Sequence, residues 1–301
     1  MNWDRVERLL GADNLARLAQ KRVGVVGLGS GGGFVALSLA MSGVGQFVLV
    51  DDDALEAANV VRHVADLRYI GQPKAQVVAE LIRHRSPQAV VETCVGRIED
   101  HLDALENLDL LVVGLDGENA KYALNQICLG RGLTAVYAGV YERGEGGDVV
   151  VIRPYDGPCY ACWAAELREG FVPPAQGVQE LDYGMIGPGG TLAAEPGLWL
   201  HVVRVAAAQA DLALNELLRG TAAHRQMPAN TVILANTALE ILNGQISQPY
   251  TAEWVQIERD PACLVCGAAR RQERVQAVEA PAVSLEDLAH AAGIALEEEA
   301  E

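Results

Sequence analysis

Between Val23 and Val50 the chain has no charged residue and eight glycines. A hydropathy window would flag this stretch as a membrane span, but glycine at that density breaks such a reading. It divides instead into an apolar run (Val23, Val25, Val26), a glycine turn (Gly27, Gly29, Gly31, Gly32, Gly33) and a second apolar run, Gln46 to Val50, ending in Asp51-Asp52-Asp53. That order predicts strand, glycine turn, helix, strand and acidic tip. A glycine turn between strand and helix lets backbone N–H groups and the helix N-terminus approach a phosphate with no side chain in the way. Gly27-x-Gly29-x-x-Gly32 is therefore a nucleotide-binding candidate, and Asp51 follows at about the ~20-residue spacing of a carboxylate that holds a ribose hydroxyl. Plain tight packing produces the same pattern, so the residues beyond Asp51 decide between the two.

After Asp51 the chain alternates. Gly71-Gln72-Pro73-Lys74 opens a helix through about Arg85, with proline presetting the first turn. Lys74 at that end opposes the helix dipole, which suggests a use other than the helix. Strands are expected at Ala89 to Val95, Leu110 to Leu115 and Thr134 to Gly139, with a helix from about Asn119 to Gly130. Strands alternating with helices imply an α/β fold with a doubly wound parallel sheet and ligands at the C-terminal strand ends. Residues 4 to 20 read as a short amphipathic helical segment. Past Gly147 the pattern changes: a strand from Asp148 to Arg153, a loop-rich crossing segment from Gly170 to Gly197, long helices at Leu198 to Leu218 and Asn230 to Leu242, and a strand around Trp254 to Ile257. One domain, 1–272, is expected, followed by a linker, a short helix (Ser284 to Ala292) and an acidic tail over 273–301.

The net charge of −17 argues against nonspecific binding to nucleic acid or anionic membranes. Met1-Asn2-Trp3-Asp4 lacks a basic segment followed by an apolar one, so no secretion signal is expected there and the chain reads as cytoplasmic. Four of the six cysteines form two pairs, Cys159/Cys162 and Cys263/Cys266; Cys94 falls in an expected strand and Cys128 in an expected helix. In a reducing compartment, pairs at that spacing read as metal ligands before disulfides. Two such pairs satisfy tetrahedral zinc with no open position, which makes the site structural.

A second constellation surrounds the acidic strand tip. A bound nucleoside triphosphate needs its charge neutralised, and Arg62, Lys74 and Arg8 are the candidates. Asp116, at the C-terminal end of a buried strand, is placed to hold magnesium, which prefers carboxylate and phosphate oxygen. A surface role is the alternative for each cation taken alone; their joint placement at one sheet edge favours the site.

Taken together, Gly27-Leu28-Gly29-Ser30-Gly31-Gly32, Gly43-Val44-Gly45, Asp51-x-Asp53, Asn59-x-x-Arg62, Gly71-Gln72-Pro73-Lys74, Asp116 and the cysteine pairs resemble the ThiF/MoeB/HesA family, bacterial relatives of the ubiquitin-activating enzymes. The resemblance covers about residues 5 to 268. It implies a Rossmann-like, mostly parallel sheet with a four-cysteine zinc site and a C-terminal antiparallel portion. It also implies that the glycine loop, Asp51 and Asp53 lie at the ATP site, that Asn59, Arg62 and Lys74 contact the phosphates, and that Asp116 takes Mg2+. Arg8 stands at the position of an arginine contributed across a homodimer interface. The implied reaction is adenylation of the C-terminal glycine carboxylate of a ubiquitin-like or sulfur-carrier protein. Gly117 stands where the family often has Asn, and Ser30 replaces a common glycine. Three rival readings are adenylation of a small peptide in natural-product synthesis, an NAD-dependent dehydrogenase sharing the Gly27-to-Asp51 fingerprint, and a non-catalytic carrier-binding scaffold. No own-cysteine thioester is expected, because Ala164 to Glu195 contains no cysteine.

Overall fold

The computed structural model describes residues 2–167, 186–187, 190–191, 197–242 and 244–267. Most of the expected crossing segment, the helix at Ser284 to Ala292 and the acidic tail lie outside these residues.

Two short helices lead the chain, α1 (Asp4–Leu10) and α2 (Ala12–Leu18), where one segment was expected. Gly11, at φ +86°, separates them, a backbone conformation that glycine adopts without steric cost. The alternating part then runs β1 (Arg22–Val26), α3 (Gly32–Met41), β2 (Gln46–Asp51), α4 (Lys74–Arg85), β3 (Val90–Val95), β4 (Leu110–Val113), α5 (Glu118–Arg131) and β5 (Ala135–Val140). After it come β6 (Gly146–Ile152), α6 (Tyr160–Leu167), the two-residue strands β7 (Ile186–Gly187) and β8 (Gly190–Thr191), α7 (Trp199–Leu217), β9 (Thr231–Ala235), β10 (Leu239–Leu242), β11 (Gln245–Ser247) and β12 (Ala252–Val255).

Eight strands form one sheet in the order β12-β9-β6-β5-β4-β1-β2-β3. The five from β3 to β5 are parallel, as the alternation predicts, whereas β6, β9 and β12 join antiparallel. Side-chain alternation assigns the two faces. Val23, Val25, Leu110 and Val112 enter a core shared with α3, α4 and α7. Val26, Leu111 and Val113 enter the other core, with Leu124 of α5 and Trp163 of α6. With both faces covered, the central strands are uninterrupted apolar runs, and each such side chain contributes roughly 1.5–3 kcal/mol of burial.

One expectation fails here. Asn230 to Leu242 is not a helix but β9 followed by β10, which pairs with β11. Thr231, Val232 and Ile233 are β-branched and all five residues of β9 are buried between β6 and β12. A short apolar run of this kind has no period that distinguishes strand from helix, and tertiary pairing decides it.

The chain divides into two compact units at residue 259. The described part of the second is a tight turn: the Cys263 amide donates to the Asp260 carbonyl, the Gly267 amide to the Cys263 carbonyl, and the Val265 amide to the Cys263 sulfur at 3.4 Å. Among the described residues no helix is long and apolar enough to cross a membrane.

Candidate nucleotide site and cysteine cluster

In the sheet order β1 lies between β2 and β4, so the chain winds away from it in both directions. The crevice at its C-terminal end is where an open α/β sheet takes its ligand, and the glycine turn leaves β1 there.

The glycines of that turn have separate tasks. A Cβ on Gly32 would stand 1.8 Å from the Gly27 carbonyl oxygen, and one on Gly27, at φ +83°, would stand 2.7 Å from that of Gly114. These two are required by backbone packing where α3 crosses the ends of β1 and β4. A Cβ on Gly29 would meet nothing within 4 Å. That position alone among the three leaves open space beside the backbone, the room a phosphate needs.

Asp51, at the end of β2, is buried. Its Oδ2 accepts the Leu28 amide at 2.6 Å and its Oδ1 the Asp53 amide at 2.9 Å. The carboxylate expected to hold a ribose thus also braces the glycine turn, and each oxygen keeps a lone pair for a hydroxyl. Burial raises its pKa, opposed by the Leu28 amide and by Lys74. Lys74 is the first residue of α4, and its backbone N–H donates to the Asp53 carbonyl. Its ammonium reaches back to Asp53 Oδ2 at 2.5 Å. Arg62, in the 3-10 turn Val60–Arg62, donates from Nη1 to Ser30 Oγ at 3.1 Å. The serine that departs from the family's glycine therefore orients one of the expected phosphate ligands.

Asn59 serves its own turn: its Oδ1 accepts the Glu56 amide and its carbonyl the Arg62 amide. Asp116 is exposed, in the loop between β4 and α5, two residues past Gly114. A solvent-facing carboxylate at a strand end suits magnesium, which keeps several waters. Arg8 lies on α1 in an exposed ion pair with Asp4. The structure thus brings Asp51 and Arg62 to the glycine turn, sets Lys74 and Asp53 around Asp51, and leaves Arg8 on the N-terminal helix.

Three features carried no role in the sequence. His63, buried next to Arg62, touches the glycine turn. Gln209 of α7 donates to both Val113 and Val136 carbonyls at 2.9 Å, tying the last residue of β4 to the second of β5. Lys121, buried in α5, pairs with Glu118 at 3.0 Å, and Glu118 accepts the Tyr160 hydroxyl at 2.7 Å. Sequence adjacency to Arg62 and to Cys159 was the only available signal for His63 and Tyr160.

The four paired cysteines form a group that could hold a metal, their sulfurs all within 4.8 Å of one another. The Cys159 and Cys162 sulfurs are 3.8 Å apart. A tetrahedron with metal–sulfur bonds of about 2.3 Å has edges of about 3.8 Å, so this pair already has the spacing of a zinc site. Cys94 and Cys128 are elsewhere and buried. Burial raises both thiols, and that of Cys128 is pushed up to about 12.

Residues 4–280 match the ThiF family. The chain is 34% identical over 168 residues to the SAMP-activating enzyme E1 of Haloferax volcanii, covering 54% of this chain and 61% of that protein. It is 29% identical over 174 residues to the adenylyltransferase and sulfurtransferase UBA4 of Yarrowia lipolytica, covering 57% of this chain and 42% of that protein. It is 28% identical over 164 residues to ubiquitin-like modifier-activating enzyme 5 of Branchiostoma floridae, covering 50% of this chain and 40% of that protein. The matched regions thus span less than two thirds of these relatives. In fold, the chain resembles the crystal structure of E. coli MccB with ATP, at a TM-score of 0.64 and 20% identity, over 88% of this chain and 75% of that one.

Proposed function

The chain belongs to the ThiF family, and from that premise we propose that it is an ATP-dependent adenylyltransferase acting on the C-terminal glycine carboxylate of a ubiquitin-like or sulfur-carrier protein. The observation that carries this reading is the pair of cations around the glycine turn: Arg62 against Ser30 of the turn, and Lys74 against Asp53 and within electrostatic reach of Asp51. A dinucleotide dehydrogenase has less need of two cations there. The relatives named as activating enzymes support the same class.

In the reaction, a carboxylate oxygen of the carrier attacks the α-phosphorus of ATP. The bond from that phosphorus to the oxygen bridging to the β-phosphate breaks, and pyrophosphate leaves. Negative charge grows on the equatorial and leaving oxygens. Arg62 and Lys74 are held near the turn before the nucleotide arrives, Lys74 by a solvated carboxylate that a phosphate replaces, and both then stabilise that charge. Asp51 orients the ribose. Asp116 would hold Mg2+, which when bound neutralises phosphate charge. The cysteine group would hold Zn2+ as a closed structural site with no position for substrate.

Pyrophosphate exchange into ATP that depends on a glycine-terminated carrier tests the reading. Asp116→Ala should abolish it, and exchange at full rate in that variant would remove the magnesium assignment. A second reading, adenylation of a small peptide, draws on the fold likeness to MccB, solved in complex with N-formylated MccA. Exchange supported by short peptides but not by any carrier would favour it. We further propose a homodimer in which Arg8 serves the partner's ATP. Mixing Arg8→Ala with Asp116→Ala chains should then restore activity, because one site of the mixed dimer keeps both residues.

A further inference from the structure

We propose that His63 is a positioning residue of the nucleotide site: as its neutral Nε2–H tautomer it latches the glycine turn to the segment carrying Arg62, and protonation opens the latch. The inference rests on the glycine turn being the nucleotide site.

The hydrogen bonds define the tautomer. His63 Nε2 lies 2.8 Å from the Leu28 carbonyl oxygen, which can only accept, so Nε2 carries the proton. The Ala65 amide donates to Nδ1 at 3.0 Å, so Nδ1 must offer a lone pair. The ring is buried, and no imidazolium can make the second bond, since both its nitrogens are donors. An added proton would set one N–H against another at a buried position.

The latch grips one residue from both sides. Leu28 gives its N–H to Asp51 and its carbonyl to His63. Arg62, the preceding residue, reaches Ser30 two positions further along the same turn. Two successive side chains of one segment therefore fix two points of the glycine turn, and the open face at Gly29 lies between them.

The charges around the ring oppose protonation. Burial lowers the His63 pKa most; the Leu28 carbonyl works against it, and Lys74 on α4 and Arg62 on the adjoining turn lower it further. Asp51 on β2 shares Leu28 but spends its charge on backbone amides. Helix α3 packs on the ring through Gly33, whose Cβ would stand 3.5 Å from Nε2, and carries no charged side chain. With the folded-state pKa below the ordinary value, the neutral latch is complete above about pH 6.5 and is lost as pH falls toward the folded-state pKa.

Two variants test this. His63→Leu removes both hydrogen bonds, whereas His63→Gln keeps a donor for the Leu28 carbonyl and cannot titrate. His63→Leu should raise the KM for ATP about tenfold, the scale of losing the one buried hydrogen bond that reaches the turn, at the Leu28 carbonyl, with kcat within about twofold. As pH falls from about 6.5 through the folded-state pKa, ATP affinity should fall more steeply in the wild type than in His63→Gln; ionisation of ATP itself is common to both. Amide hydrogen exchange on the unliganded chains supplies a readout free of nucleotide. Residues 27–33 should lose protection in His63→Leu at every pH and in the wild type only on acidification, while His63→Gln stays protected. Equal protection in wild type and His63→Leu, or identical pH profiles for wild type and His63→Gln, would overturn the latch. Loss of protection in His63→Leu together with no ATP binding by wild type would sustain the latch and overturn the nucleotide assignment.

Discussion

Lys74 Nζ stands 2.5 Å from Asp53 Oδ2, and only the lysine end of this pair is buried: its side chain is 11% exposed and that of Asp53 65%. The carboxylate is thus a solvated tether, one that a phosphate can replace without leaving a buried charge unpaired. Lys74→Met keeps the aliphatic stem that packs at the start of α4 and deletes the charge. It should lower carrier-dependent pyrophosphate exchange by about a hundredfold or more while changing stability in urea far less, because the Asp53 carboxylate left without its partner is solvated.

Gly29 and Gly32 should respond in opposite ways to the same methyl group. Gly32→Ala places a Cβ 1.8 Å from the Gly27 carbonyl oxygen, so α3 must move off β1. A fall in thermal midpoint large enough to leave little folded protein is expected. Gly29→Ala meets no atom within 4 Å and should melt like the parent while binding ATP more weakly, measured by calorimetric titration.

The cysteine group predicts one zinc per chain by elemental analysis of protein purified without chelator. Cys159→Ser should remove the metal and lower the thermal midpoint, with a smaller effect on intrinsic ATP affinity. Protein that carries no zinc, or that melts unchanged after the ion is stripped, would remove the structural assignment.

Cys94 and Cys128 should be silent. Their thiols are buried and held above the usual range, Cys128 at about 12, so little thiolate exists at neutral pH. Incubating enzyme, ATP and carrier should give no thiol-sensitive adduct on a non-reducing gel. An adduct that disappears in Cys94→Ala or Cys128→Ala would instead make one of them a nucleophile.

The parallel half of the sheet was legible because its strands are apolar runs punctuated by glycine, proline and aspartate, and α4 begins at Lys74 as the preceding proline requires. The antiparallel half was less so. Thr231 to Ala235 has no polar residue after its threonine to show a period, and only its place between β6 and β12 makes it a strand. In the site, charge type and position pointed to Arg62, Lys74 and Asp51, but not to what orients them. Ser30, given no role beyond replacing a common glycine, accepts a hydrogen bond from Arg62. His63 had no motif, since a histidine's partners here are two backbone groups, Leu28 and Ala65, that any sequence would offer.

Three stretches of main chain meet where Gly27, Gly32 and Gly114 touch: a Cβ on Gly114 would stand 2.5 Å from the Gly27 oxygen and 3.0 Å from the Gly32 Cα. None of these positions can accept a larger residue unless the other segments give way with it. The cations and carboxylates around the crevice are under no such three-way backbone constraint. The junction cannot be altered piecemeal, so the shape of the crevice is set by main chain alone, whatever side chains surround it.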